Sequence, residues 1–398
     1  MQTITSVELL AHVTSSGTRT RPVARPKVKH IVIRWDRVGK SGAVAVASAL
    51  QRGAFPELQR IDLYGSSIGE EGTQSIAAAL ERGSFRALER VDFGRNNIGS
   101  NGAKAIAAPL ERGAFPRLKV LSLDNNDIGD EGAKALARAL KQGTFAQLEV
   151  VALHNNAIGP EGTEALMSAL QHGRCPQLKQ VNLHCNRIGP AGAWAVALAL
   201  RDRSIPHVEC IDLGMNGIRS EGVAALATAL ERESFPWLKR IGLDDNDIED
   251  AGAKALAVAL RRSPCQALES INLSRNKIRN EGAKAIASAL AHGSFERLTR
   301  IHLHQNHITD DGAEAVASTL ERATLPVIES VTFYGSLAPF SARAVGEERD
   351  VTGGARGRGL ILLLLSAENG RCDSPAKRFL ARDGDRAVMW RIWGFMLS

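Results

Sequence analysis

Apolar residues return along this chain on a fixed beat of 30 residues. Leucine stands at Leu50, Leu80, Leu110, Leu140, Leu170, Leu200, Leu230, Leu260, Leu290 and Leu320. Glycine holds the same phase at Gly42, Gly72, Gly102, Gly132, Gly162, Gly192, Gly222, Gly252, Gly282 and Gly312, with no insertion or deletion between. Within each unit the period changes. Leu58-Gln59-Arg60-Ile61-Asp62-Leu63 alternates, as a short strand with one buried face does, whereas Asp130 to Leu140 puts Ala133, Leu136, Ala137 and Leu140 on one helical face. Asp130 fits an N-cap and Gly143 a helix stop. Between strand and helix, Asn96, Asn126, Asn156, Asn186, Asn216, Asn246, Asn276 and Asn306 fall where a buried turn would leave backbone groups unpaired, which a carboxamide can satisfy. The pattern predicts eleven strands, from Ile31 and Ile33 to Val331 and Phe333, and ten helices. Pro109 replaces a core alanine near the end of one helix, where it removes a backbone donor.

The unit from Leu118 to Gly129 fits L-x-x-[LIV]-x-L-x-x-N-x-I-G, and the helical half reads G-x-E-G-A-x-A-[IL]-A-x-A-L. Together these resemble the ribonuclease-inhibitor-like subfamily of leucine-rich repeats, over residues 28–338. The resemblance implies an α/β solenoid, a horseshoe with a parallel β-sheet on its concave wall and helices outside. No single unit can bury its own apolar stripe, so stability must come from stacking. Residues 1–27 then form an N-terminal tail or cap and 339–398 a C-terminal tail or cap, the latter holding the apolar run Leu360 to Leu365. The subfamily includes nuclease inhibitors, sensor arms of innate-immune receptors and activators of the small GTPase Ran, so it implies fold more narrowly than function.

Charge narrows the partners. The chain is formally +7 with a pI near 9.3, but the terminal segments carry that excess, leaving 35 basic and 35 acidic residues in 30–338. A neutral array lacks the broad basic field of a phosphate-backbone binder, so nucleic acid is not expected as a partner. No apolar run reaches the roughly 20 residues of a membrane span. Cys175 and Cys265 occupy one loop position three repeats apart, too far for a disulfide. With an odd total of five cysteines, this points to a reduced, cytoplasmic setting. The acid-poor segment 14–25, with its Ser, Thr and Arg, keeps organelle targeting as the alternative.

Several motif-like groups are absorbed by the repeat. Gly39-Lys40-Ser41 imitates a phosphate-binding loop, but Arg34 stands where its first glycine belongs. His154 and His184 share a column beside Cys185, and His302, His304 and His307 crowd together, without the spacing of a known metal site. Asp244, Asp245 and Asp247 lack calcium-loop spacing. No nucleophile, base and orienting acid share the columns. The expectation is a non-enzymatic protein without cofactor or metal.

What varies between repeats is the outward face of the strands. One column runs Asp62, Asp92, Ser122, Ala152, Asn182, Asp212, Gly242, Asn272, His302 and Thr332, and its neighbour Tyr64, Gly94, Asp124, His154, His184, Gly214, Asp244, Ser274, His304 and Tyr334. A recognition surface can be written there without disturbing the scaffold. Aromatic and arginine anchors dominate such interfaces. The candidate contacts are therefore Arg60, Asp62, Tyr64, Arg90, Asp92, Arg95, Asp124, His154, His184, Arg240, Asp244, Arg275, Arg300, His302, His304 and Tyr334, with Trp194 a convex contact. The functional expectation is a protein-interaction scaffold binding a protein partner on its concave face, with a small-GTPase regulator or an innate-immune-type sensor as alternatives.

Overall fold

A computed structural model describes residues 3–6, 8, 27–35, 38–52, 55–172, 174–262, 265–293, 295–322, 330–332 and 361–363. Strands β1 (Thr3–Ile4), β2 (His30–Val32) and β3 (Arg60–Asp62) open one parallel sheet, which continues at the 30-residue interval to β12 (Ser330–Thr332). The strand order is the chain order, and β13 (Ile361–Leu363) closes the sheet. Ten helices among the described residues, α1 (Gly39–Gln51) to α10 (Asp310–Arg322), lie between successive strands from β2 onward. The eleven strands and ten helices expected from periodicity are thus present. Phe333 and Tyr334 lie outside the described residues, as does most of the two terminal segments. Of the Leu360 to Leu365 run, Ile361–Leu363 pairs in register with β12, Leu362 opposite Val331.

Register is uniform: Arg60, Ile61 and Asp62 sit opposite Arg90, Val91 and Asp92. Equivalent side chains therefore stack into columns along the sheet. Ile61, Leu63, Leu121, Leu123, Leu136 and Leu140 are buried between sheet and helices, with Ala133, Ala137 and Ala139 lining the helix side of that core. Phe55, Phe85, Phe115, Phe145, Phe235 and Phe295 plug the bottom of their repeats, and Cys175 and Cys265 occupy the same buried position. These cysteines are core fillers, and burial pushes the Cys175 thiol up to about 12. Helix α3 (Gly99–Glu111) runs through the buried Pro109.

The periodic glycine has a steric cause. A Cβ on Gly72 would stand 2.7 Å from the Ala43 Cβ, and one on Gly162 would stand 2.5 Å from Asp130 Oδ1 and 2.9 Å from the Ala133 Cβ. At most of these glycines the helix start lies against the preceding helix too closely for a side chain, and at Gly102 and Gly192 the close neighbour is instead the isoleucine four residues earlier, Ile98 and Ile188. The contact with the preceding helix also corrects the expected cap. Asp130 does not cap its own helix, α4 (Gly129–Gln142), which has no side-chain cap. Instead Oδ1 accepts the N–H groups of Gly159 (2.7 Å) and Gly162 (2.9 Å) at the start of the next helix, α5 (Pro160–Leu170). Asp250 does the same for Arg279 and Gly282, and Asn280 for Thr309. Gly143 does end α4, in extended rather than left-handed conformation, and it is glycine because a side chain there would collide with the Phe145 ring.

Candidate functional site

The solvent face of the sheet rests on the asparagine ladder. Asn126 Nδ2 donates to the carbonyls of Phe93 (2.8 Å), Leu123 (3.0 Å) and Asp124 (3.0 Å), while Oδ1 accepts from the N–H of Asn96 (2.8 Å) and Ile98 (3.3 Å). Related bonds run from Asn96 to Asn306. Ser66 substitutes in its repeat, giving its hydroxyl to Ile33 O at 2.6 Å. The residue before each ladder position must turn the chain out of the sheet, and φ is 53° to 61° at Trp35, Arg95, Asn125, Asn155, Cys185, Met215, Asp245, Arg275 and Gln305. Left-handed backbone at a non-glycine residue costs on the order of 1 kcal/mol. The ladder offsets that cost and projects this column along one edge of the sheet.

Three of the expected contact residues are not presented to a partner. Asp62, Asp92 and Asp124 are buried, because arginine or polar neighbours close over them. Asp62 Oδ2 accepts from Arg34 Nε (2.7 Å) and Arg60 Nη2 (2.5 Å). Asp92 Oδ2 accepts from Arg90 Nη2 at 3.0 Å. Asp124 is held by Ser122 Oγ (2.6 Å), Asn125 Nδ2 (2.9 Å) and His154 Nε2 (3.4 Å). Burial raises the Asp62 carboxyl, but the bonds from Arg34 and Arg60 prevail and hold it below the ordinary 3.8.

Trp35 was not among the expected contacts, yet it stands 64% exposed. Its ring meets Tyr64 edge-on at 5.1 Å between centroids and carries the Arg95 guanidinium at 5.3 Å. Gly65, with φ +67°, lies beneath it, where a Cβ would come within 2.8 Å of the indole. Arg34 and Trp35 occupy the columns of Tyr64 and Gly65 one repeat earlier, so extending the column N-terminally by one step finds them in the sequence.

A second cluster lies mid-sheet. Gly214 and Gly242 carry no side chain, and a shallow recess of about 440 Å³ opens between Gln180, His184, Asp212, Arg240, Asp244, Asn272 and His302. His184 Nδ1 is 3.4 Å from Asp212 Oδ1, and that hydrogen bond outweighs burial in raising its pKa. Asp244 accepts from Asn272 Nδ2 at 2.9 Å and is raised mainly by burial. His302 and His304 meet edge-on, with centroids 6.0 Å apart, and Thr332 Oγ1 lies 3.1 Å from His304 Nδ1. Burial lowers His302, and burial with His302 and Arg275 nearby takes His304 to about 4. Arg240, Arg275 and Arg300 are exposed along the same arc, Arg275 Nε bonding Gln305 at 2.7 Å. Trp194 stands 59% exposed on α6 (Gly189–Arg201), on the helix side. The strands place the expected contacts on one face of the sheet, where Asp62, Asp92 and Asp124 are buried beneath their neighbours, while Trp194 stands apart on the helix side and Tyr334 is outside the described residues. No helix among the described residues is long and apolar enough to cross a membrane.

No curated protein sequence matches the chain. Among solved structures, a chain of the crystal structure of the Rad7 and Elc1 complex in yeast is similar at 14% identity and a TM-score of 0.43, covering 89% of this chain and 88% of that one. The structure of Leiomodin-1 Actin-Binding Site 2 is similar at 22% identity and a TM-score of 0.29, over 35% of this chain and 76% of that one. The family model described as Leucine Rich repeat matches residues 86–107, 117–137, 204–227, 236–257, 265–287 and 298–317. With that match on the 30-residue strand, asparagine turn and helix, the chain is a leucine-rich-repeat protein folded as an α/β solenoid.

Proposed function

We propose that this protein is a non-enzymatic scaffold or regulator that binds a protein partner on the solvent face of its sheet, with residues 28–338 as the binding body. Leucine-rich-repeat proteins serve generally as interaction scaffolds. The observation that carries the reading is a division of labour within each repeat. The ladder asparagine and the core are nearly fixed, while the strand positions facing solvent change from repeat to repeat and bring Tyr64, His184, Arg240 and Arg300 onto one continuous surface. Rigid strands present such side chains at low entropic cost, which suits recognition of a partner in one orientation. The helix of each unit and its 30-residue length support placing the chain with the ribonuclease-inhibitor-like subfamily.

Photocrosslinking in the full-length chain tests this. A crosslinker at Gln180, Arg240 or His302 should capture the same partner from cell extract, and the same group at Lys104, Lys134 or Lys254 on the helices should not. Capture from the helix positions alone would overturn the assignment of the face.

A further inference from the structure

The N-terminal arc of the sheet is built in two layers. The carboxylates of Asp62 and Asp92 lie beneath, with side chains 0–4% exposed, and the side chains of Arg34, Arg60 and Arg90 lie above them, 33–42% exposed, with Nε of Arg60 and of Arg90 buried. The buried acids hold the arginines in fixed orientations, so an approaching molecule meets guanidinium edges rather than carboxylates. Beside this row stands the exposed Trp35, braced by Tyr64 and by Arg95. Arg95 stacks on the indole and pairs with no acid among the described residues. Gly65 removes the side chain that would displace the indole. An exposed tryptophan with an ordered partner on two sides has little conformational freedom left to lose, as an interface anchor requires.

We propose that Trp35, Tyr64, Arg34, Arg60, Arg90 and Arg95 form a docking site for an acidic peptide segment of a protein partner. Carboxylates of the segment lie along the arginine row and an apolar side chain packs on Trp35. This rests on the protein-binding reading above and specifies its chemistry at one end of the sheet. Fixed guanidinium forks match carboxylates through paired N–H donors. A nucleic-acid strand would demand a succession of stacking rings and a continuous cationic track. Here one exposed indole stands at the end of the row, and further along the sheet Asp212, Asp244 and Asp245 interrupt the cationic track before it resumes at Arg275 and Arg300.

The test is fluorescence anisotropy on the full-length chain with three labelled probes: a peptide of alternating glutamate and leucine, its lysine counterpart, and a single-stranded oligonucleotide. The glutamate peptide should bind best and weaken with salt. Trp35→Ala and Arg95→Glu should each lower its affinity about tenfold or more, while Lys254→Glu, exposed on the helix side of the solenoid, leaves it unchanged. Both altered residues near the site are exposed, and circular dichroism checks that each variant is folded. Equal binding by all variants, no binding of the glutamate peptide, or preference for the lysine peptide or the oligonucleotide would each overturn the proposal. If crosslinks at Arg240 and His302 still capture a protein after such a result, the protein-binding reading stands and only the acidic docking site falls.

Discussion

Asp62 shows how a single side chain can belong to the surface by sequence and to the interior by structure. It alternates outward on its strand, yet Arg34 and Arg60 share its Oδ2 and seal it from water. Asp62→Asn keeps the shape but removes the charge that orients both guanidiniums, and should cost about 1–3 kcal/mol, a range lowered by the partial exposure of the arginines. Urea denaturation at pH 7 measures this. Because the Asp62 pKa is held below 3.8 in the folded chain, its contribution is full above that value and is lost as pH falls through the folded pKa. The two C-terminal histidines act over a higher window. Burial favours neutral His304, with a folded pKa of about 4 against the ordinary 6.5. The resulting stability is present above 6.5 and is lost as pH falls toward 4. Hydrogen exchange should therefore show the strands around His302 and His304 loosening between neutral pH and pH 4, and His304→Gln should reduce that loosening.

The strand, the turn and the helix depend on the next repeat for their unpaired groups. Asn156 takes N–H groups from Asn126 and Ile128 and gives its own to carbonyls of Leu123, Leu153 and His154. Asn156→Ala leaves several buried backbone groups without partners and should cost about 3 kcal/mol or more. The loss should be visible as a lowered denaturation midpoint and as faster exchange in the two repeats that share the bonds. At the helix start, Asp130→Ala should cost about 1 kcal/mol, the usual value of an N-cap. Its effect should appear in exchange rates of α5 rather than α4, which separates a cap given to the neighbour from one kept. Gly162→Ala should be worse than Asp130→Ala, since it drives a methyl group into both Asp130 and Ala133.

Across the molecule, the core and the solvent face of the sheet respond to different substitutions. Leu140→Ala opens a cavity in a buried row and should cost about 2–5 kcal/mol, whereas Arg240→Ala and Trp194→Ala, at exposed positions, should stay within about 0.5 kcal/mol. Thermal denaturation of the three variants side by side measures the difference, and equal losses would contradict the assigned faces. Because neighbouring repeats provide nearly all stabilising contacts, the Leu140 cavity should weaken cooperativity between the repeats on either side of it.

The architecture was legible in the sequence because a strict repeat makes every local pattern its own control. Period-two strands, helices of period 3.6, the ladder asparagines and the glycine column all predict the same unit. The reasons behind two of these signals belong to the space between repeats. Gly162 is small because the neighbouring helix is close, and Asp130 caps a helix 30 residues away from its own. The binding face was legible as a set of columns, but alternation reports only the side of the sheet on which a residue lies. Whether Asp62 meets water depends on the side chains beside it, and Trp35 became conspicuous only when Gly65 and Arg95 came to lie under and over its ring. Sequence periodicity thus determined the elements, their order and the two faces of the sheet. Tertiary contact decided which side chains on the outer face remain available, since burial and pairing depend on neighbours a full repeat apart along the chain.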